Sequence, residues 1–529
     1  MPLTHSLARA RRPCALASPF LLALASFQSP NAKAPDDPKP APADAKPAEA
    51  PKPLPKGFPR PDEPRGVRSR TEAASGGYVL LAPLNSKTVH LVDAEGKLVH
   101  SWSTAQPPGG ATYLLPNGHL LRCGQQDPNP RFHGGGIGGH VQELDWDGKL
   151  VWEYELDDAE LTQHHDIKLL PGGNVLVIAW EYHSKEEAAA RGRMAEYCHE
   201  EGLWTDVLLE VEPIRPVGGK VVWKWRTWDH LVQDLEATKP GFAALAEHPE
   251  RIDINADCRF LAPSESAAER ARREQLEREM KRLGYAGGDD KHDAPPPKDA
   301  GPKLEADWLH TNAVDYLPEH DLVLLSTPHL NEIWVIDHST TTAEAAGESG
   351  GRWKHGGGLL YRWGNPRNWG RGAAADRRLF YQHNSSWLAG EKPGELRVLL
   401  YNNGRDRPGE EFSSIDELVL PFDPARGFVR AKDEAFGPEQ PSWTYSEPAH
   451  FFSPFISGVQ RLPNGNTLVC EGVKGRVFEI TRAGEVVWDY WSPLGGEIQP
   501  TKTGGKAPPN ALFRATRIAK DDPRLLGRL

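Results

Sequence analysis

A phrase of the form Gly-Lys/Glu-hydrophobic-Val-x-x-aromatic recurs at residues 96–102, 148–154, 219–225 and 484–490, with a degenerate copy at 357–363. Each copy reads as a turn entering a strand, because glycine tolerates positive φ and β-branched or aromatic side chains suit a pleated surface. Between the copies runs a second phrase, Leu-Pro-x-Gly-x-x-Leu, at 115–121, 170–176 and 462–468, with a looser version at 317–323. The repeating unit is therefore strand, Pro-Gly turn, strand, spacer, strand, glycine turn, strand. Few architectures accept such a unit, and the one it predicts is an all-β, six-bladed β-propeller with a central channel walled by the innermost strands.

The blades are expected at 110–156, 163–230, 308–365, 381–448 and 455–493, with a first blade around 78–104 that has no Leu-Pro-Gly strand of its own. Residues 513–518, followed by Asp521, Asp522 and Pro523, echo the missing strand and its turn. A C-terminal strand completing the N-terminal blade would close the ring and hide its open edges. The propeller domain is thus read as 76–529, with a charged helical and loop insertion at about 255–306. Within it, 264–283 reads as a solvated helix capped by Ser264, and 284–302 as a flexible loop.

The start of the chain reads differently. Arg9, Arg11 and Arg12 precede an apolar run at 14–27 that contains Ala23-Leu24-Ala25, the small-x-small pattern of a cleavage site. Residues 1–25 are expected to be a signal peptide rather than a membrane anchor, since the run is short for a bilayer span. The protein is then exported, to a periplasm or the cell exterior, with no stable membrane span after cleavage. Residues 26–75 follow as a Pro/Ala-rich disordered linker, most clearly so over 30–64. The net charge of −11 and the lack of a basic stripe argue against nucleic acid as a partner. Cys123, Cys198, Cys258 and Cys470 are scattered without metal-ligand spacing and read as free buried thiols.

Polar residues on the innermost strands are the informative exceptions in such a fold. Aligned on the turn leucine, His165, Asn312 and Ser457 fall five residues before it, His383 falls at the same offset before Leu388, and Gly110 occupies the position in the second blade. His164 and His310 lie one and two residues further out. A lone histidine usually hydrogen-bonds in place. Several in register serve fewer purposes: binding an anion, holding a metal, or moving protons.

The residues flanking these positions carry a resemblance. The runs Gln163-His164-His165-Asp166, Asp307-Trp308-Leu309-His310-Thr311-Asn312, Gln382-His383-Asn384 and Asn510-Ala511-Leu512-Phe513-Arg514-Ala515 resemble, in this order, the bacterial arylsulfate sulfotransferase family. The likeness runs from about Gly77 to the C-terminus, outside the insertion. It implies a propeller that transfers a sulfuryl group from an aryl sulfate donor to a phenolic acceptor without a nucleotide and without a cofactor or metal. On the same resemblance His383 matches the nucleophile that becomes transiently sulfated, and His310 and Asn312 match a His-x-Asn pair around the sulfuryl oxygens. His165 matches the histidine of the His-His-Asp motif, with His164 the alternative. Where the family places Ser-Ser-Arg, this chain reads Ser326-Thr327-Pro328-His329, so His329, or Arg405 from another loop, is the expected substitute for the cation. The chemistry is self-consistent, because sulfuryl transfer spreads charge over three oxygens and calls for positioned donors, a neutral imidazole to attack and a protonated one to serve the leaving phenolate.

Two other readings use the same residues. His165, His310 and His383 form a candidate ligand set for a metal-dependent hydrolase or lyase, although carboxylates in register with them are wanting apart from Asp166, which an alternating strand would turn the opposite way from its neighbour. Alternatively the propeller is a catalytically silent binding module.

Overall fold

The computed structural model describes residues 56–60, 62–126, 128–261, 267–285, 304–495 and 510–529. Antiparallel strands dominate and the arrangement is propeller-like. One sheet runs in the order Leu512–Ile518, Tyr78–Pro83, Thr88–Asp93, Leu98–Ser103. Another orders Ala313–Leu317, Leu322–Thr327, Glu332–Asp337 and Tyr361–Trp363, and a third His383–Leu388, Arg397–Asn402, Ser414–Val419 and Trp443–Ser446. A larger sheet joins two four-strand sets, spanning Pro108–Leu114 to Leu150–Glu155 and Leu161–Leu169 to Gly219–Arg226, through a single parallel bridge between Gly110 and His165. The C-terminal strand pairs antiparallel with Tyr78–Pro83, Leu80 facing Thr516.

The repeated phrases explain these elements residue by residue. In the turn before Leu98, the Asp93 carboxylate accepts the backbone N–H groups of Glu95 and Lys97 at 3.1 and 2.8 Å, while Gly96 takes φ 79°. Asp145 and Gly148 repeat this arrangement one unit later. An aspartate turn followed by a left-handed glycine is why the phrase begins with glycine. The tryptophans inside the phrase then join neighbouring units. Trp152 donates its indole N–H to Gly218 O at 2.8 Å, Trp225 to Gly357 O at 2.7 Å and Trp488 to Ala94 O at 2.9 Å. Each ring is buried and its polar edge is satisfied by the next unit's turn.

Two expectations change. The linker predicted over 26–75 ends earlier than expected on the described residues, because Gly66–Arg70 forms a strand against Val486–Trp491 and Phe58 packs against Phe455. Strand pairing and an aromatic anchor outweigh the polar, proline-rich composition there; residues 26–55 lie outside the described residues. The insertion helix exists, at Ala267–Arg282, but it is not merely solvated. Leu276 and Met280 pack beside a cluster containing Phe455, Phe513, Leu283 and Tyr285, the last two buried. The proposed cap Ser264 and the loop beyond Tyr285 lie outside the described residues.

Cys123, Cys198, Cys258 and Cys470 are free thiols; Cys198 is only half-buried. Among the described residues no helix is long and apolar enough to cross a membrane.

Candidate active site

The innermost strands are kinked where the histidines lie. His165 (φ 52°), His310 (57°), Asn384 (50°), Ile456 (49°) and Ser457 (92°) all occupy the left-handed region, and Gly110 sits at φ 135°. Such conformations are costly for residues other than glycine and persist where surrounding structure imposes them. In the Leu161–Leu169 strand the pairing jumps from Gln163↔Ala179 to Ile167↔Val177, so His164, His165 and Asp166 bulge opposite Ile178 alone. The bulge cancels simple alternation. Both imidazoles therefore meet, Nδ1 to Nδ1 at 2.8 Å, and Asp166 reaches inward instead of turning away. Its carboxylate accepts Arg514 Nη1–H at 2.8 Å, the Tyr113 hydroxyl at 2.7 Å and the Val314 N–H at 3.1 Å, bracing three inner strands.

His165 and His310 face each other with ring centroids 4.4 Å apart. The Tyr285 hydroxyl lies between them, 3.0 Å from Nε2 of each. Asp307 bonds His310 Nδ1 on the far side. Burial alone would strip the proton from His310, but Asp307 outweighs it and raises the imidazole above its ordinary value, while Asp307 itself is held at about 2 despite its own burial, mainly by His310. Among the described residues no carboxylate pairs with His165. Burial, reinforced by the positive field of His310, pushes it well below the ordinary value. Donors and acceptors then fall into one order: His310 Nε2–H donates to Tyr285 Oη, whose proton donates to neutral His165 Nε2, whose Nδ1–H donates to His164 Nδ1. His164 Nε2 faces Asp206 Oδ1 at 3.3 Å, near enough for attraction but not aligned as a hydrogen bond, and its ring stacks on Trp180 at 4.3 Å.

His383 is built on other terms. Asn403 donates both protons of its side-chain amide, to Ser453 O at 2.8 Å and Ile456 O at 2.9 Å, which turns its Oδ1 toward His383. His383 Nδ1 lies 2.8 Å from that oxygen and must carry the proton. Nε2 is consequently the lone-pair nitrogen, and its partner is the Ile456 N–H at 3.2 Å. Burial, with a contribution from His310, lowers the His383 pKa to about 3 against the opposing effect of Asn403.

The remaining expected residues fall close by but are engaged differently. Asn312 donates its amide to Gln382 O at 2.9 Å and leaves Oδ1 buried without a partner among the described residues, so it ties adjacent inner strands. His329 stacks on His310 at 4.7 Å and donates Nδ1–H to Asp307 O at 3.0 Å. Its pKa is lowered, by burial and then by His310, which disfavours the charged form. Arg405 does carry a cation, with its guanidinium 4.1 Å from the Tyr381 ring centre and Asp406 as a loose partner at 3.6 Å. The nitrogens of His165 and His310 converge on Tyr285 rather than on an open ligand position, and among the described residues no three His, Cys, Asp or Glu side chains are grouped to hold a metal.

Sequence reasoning missed Tyr285, Asn403 and the role of Asp307. Tyr285 stands one residue past Gly284, which takes φ 75° at the end of the insertion helix. Gly284 N–H bonds Lys281 O and Tyr285 N–H bonds Met280 O, both at 3.0 Å, the two bonds of a Schellman stop, and Met280 packs against the hydrophobic cluster that contains Tyr285. A Leu276, Met280, Leu283 stripe ending in Gly-Tyr was the available signal. The glycine run 134–136 was another, since a Cβ on Gly135 would meet the Tyr285 ring at 2.5 Å and one on Gly136 the His165 ring at 2.1 Å.

A propeller-like, all-β chain thus brings buried imidazoles of opposite pKa shift together, with the Tyr285 phenol oxygen seated between two of them. The chain is a member of the Arylsulfotransferase (ASST) family, which it matches over residues 78–489. No curated protein matches it. Among solved structures it is similar to a protein of unknown function from Bacteroides caccae, at 11% identity and TM-score 0.36, over 84% of this chain and 98% of that one. It is also similar to a periplasmic gluconolactonase of Pseudomonas aeruginosa, at 12% identity and TM-score 0.35, over 78% and 94% of the two chains.

Proposed function

We propose that this chain is an aryl sulfotransferase working by ping-pong exchange through a sulfohistidine at His383. The observation that carries the reading is the fixed amide of Asn403, which holds the proton on Nδ1 and leaves His383 Nε2 as the unprotonated nitrogen on the other side of the ring. In the first half-reaction Nε2 attacks sulfur, giving up its long contact to Ile456 N–H; the ester S–O bond breaks, and His310 Nε2–H delivers its proton to the leaving phenolate. In the second half-reaction the acceptor phenol gives its proton back to His310 as its oxygen displaces Nε2 from sulfur. His165 Nε2 positions the entering acceptor phenol by accepting its O–H before that proton passes to His310, His164 orients His165, and Asp307 keeps His310 charged. Arg405 takes the place of the family's cation toward the sulfuryl oxygens, with His329 stacked against His310 as part of the wall. Asn312 acts by holding the strands that carry His310 and His383.

The same reading includes a six-bladed propeller whose first blade is completed by the C-terminal strand; the pairing of Leu512–Ile518 with Tyr78–Pro83 supports it. It also includes export by cleavage after the leader at 1–25, checked by N-terminal sequencing of secreted material. The function is tested by initial rates with an aryl sulfate and a phenol varied together. Parallel double-reciprocal lines and formation of the acceptor's sulfate ester are expected; sulfate release to water at the same rate with or without phenol would replace transfer by hydrolysis.

A further inference from the structure

Tyr285 is a phenol already in the seat that the proposed reaction needs. Its hydroxyl contacts His165 Nε2 and His310 Nε2 at 3.0 Å each, the two nitrogens assigned to position and protonate a substrate phenol oxygen. Its ring stacks on Phe455 with centroids 5.1 Å apart and planes 26° from parallel. Phe455 immediately precedes Ile456, whose N–H touches His383 Nε2. The residue is 3% exposed, and its main chain is fastened by the helix stop and by Gly136 N–H at 3.3 Å from Tyr285 O. Tyrosine is not required to fill such a space: phenylalanine would supply the same stacking and burial. The hydroxyl is what the two histidines engage.

We propose that Tyr285 is an internal acceptor, converted by the protein's own active site to tyrosine O-sulfate. The inference rests on the sulfotransferase reading. An aryl sulfate displaces the Tyr285 ring from the seat and sulfates His383 Nε2; its S–O bond breaks, and His310 protonates the released phenolate. Tyr285 then returns. Its oxygen attacks sulfur, the N–S bond to His383 breaks, and the phenolic proton passes to His310, which is restored to its starting charge. The aryl sulfate is the only co-reactant, and the products are a free phenol and sulfated Tyr285. A sulfated Tyr285 adds bulk and negative charge beside Asp307, so it no longer fits the seat and leaves the site open to external phenols.

The test treats the full-length chain with p-nitrophenyl sulfate, without added acceptor, clears sulfohistidine with mild acid, and maps sulfated peptides by mass spectrometry. Release of p-nitrophenol and its transfer to added phenol are measured in parallel. One SO3 group on Tyr285 is expected in the wild type and none in His383→Ala, with Tyr285→Phe still transferring to added phenol. Transfer to added phenol with Tyr285 unmodified overturns this inference and leaves the sulfotransferase reading intact. SO3 spread over exposed tyrosines, or on Tyr285 equally in His383→Ala, also overturns it. Neither release nor modification overturns both.

Discussion

His310 and His383 share burial and a kinked inner-strand origin, yet they are driven to opposite charge states by what each Nδ1 meets. Behind His310 is the carboxylate of Asp307, which stabilises the imidazolium enough to overcome desolvation. Behind His383 is the amide oxygen of Asn403, a neutral acceptor that fixes the tautomer without compensating for the lost water, and the pKa falls to about 3. A single difference of partner thus separates an imidazole held charged from one held neutral, the separation that the proposed mechanism needs between its acid and its nucleophile. Charge on one imidazole also reinforces neutrality of the other, because His310 is among the groups that depress His383.

The comparison breaks most completely at the nucleophile. His383→Ala should lower aryl sulfate turnover by roughly 10⁴-fold or more, a loss of the size seen when an attacking group is removed, with little change in Tm. Wild-type rates in a correctly folded variant would assign the attack elsewhere. Next in size is Asp307→Asn, which retains an acceptor for Trp180 but not the charge behind His310. Turnover near neutral pH should fall about 10²-fold, and the alkaline limb of kcat/KM should move to lower pH, since His310 must be protonated to act as acid. A fall in rate with that limb unmoved would reduce Asp307 to a structural role.

Asn403→Asp should make His383 resemble His310. A carboxylate at Nδ1 raises its pKa, so turnover is expected to drop on the order of tenfold at neutral pH and to recover as pH rises. Recovery failing at every pH would mean that the lost amide donations to Ser453 and Ile456, rather than protonation of Nε2, cause the defect. The smallest effects are on stability. His383, held at about 3 in the fold against 6.5 unfolded, makes the protein lose stability as pH falls from 6.5 toward 3, because the unfolded chain binds a proton the native site refuses. His338, where Asp321 and Glu210 overcome burial to raise the pKa to about 9, works in reverse: its contribution is complete below 6.5 and is lost as pH rises through 9. Denaturant melts across pH should therefore show His338→Gln losing most stability relative to wild type below pH 6.5 and converging with it above 9.

Much of this architecture was legible because it repeats. Gly96, Gly148 and their flanking aspartates are local turn chemistry, and the strands followed from them. His165, His310 and His383 were found because polar residues interrupted an otherwise apolar register. What escaped depended on position in space. Asp307 and Asn403 stood beside recognised residues, but only the backbone kinks show which nitrogen each one faces. Tyr285 escaped for the opposite reason: the insertion's Glu/Arg-rich composition describes the solvent face of its helix and hides the narrow Leu276, Met280, Leu283 stripe that delivers the tyrosine. The strict alternation assumed for His164–Asp166 failed because three residues bulge against one.

The central claim is that sulfur bonds to the nitrogen of His383 that Asn403 leaves free. The direct measurement uses Tyr285→Phe, in which the phenol of residue 285 cannot carry the group onward, mixed with p-nitrophenyl sulfate, quenched in alkali and analysed by tandem mass spectrometry and ¹⁵N NMR of labelled histidine. The account predicts one sulfuryl group per chain, on Nε2 of His383, discharged on adding phenol. A group on Nδ1, on His165 or His310, or continued turnover with no histidine adduct at any time would contradict it.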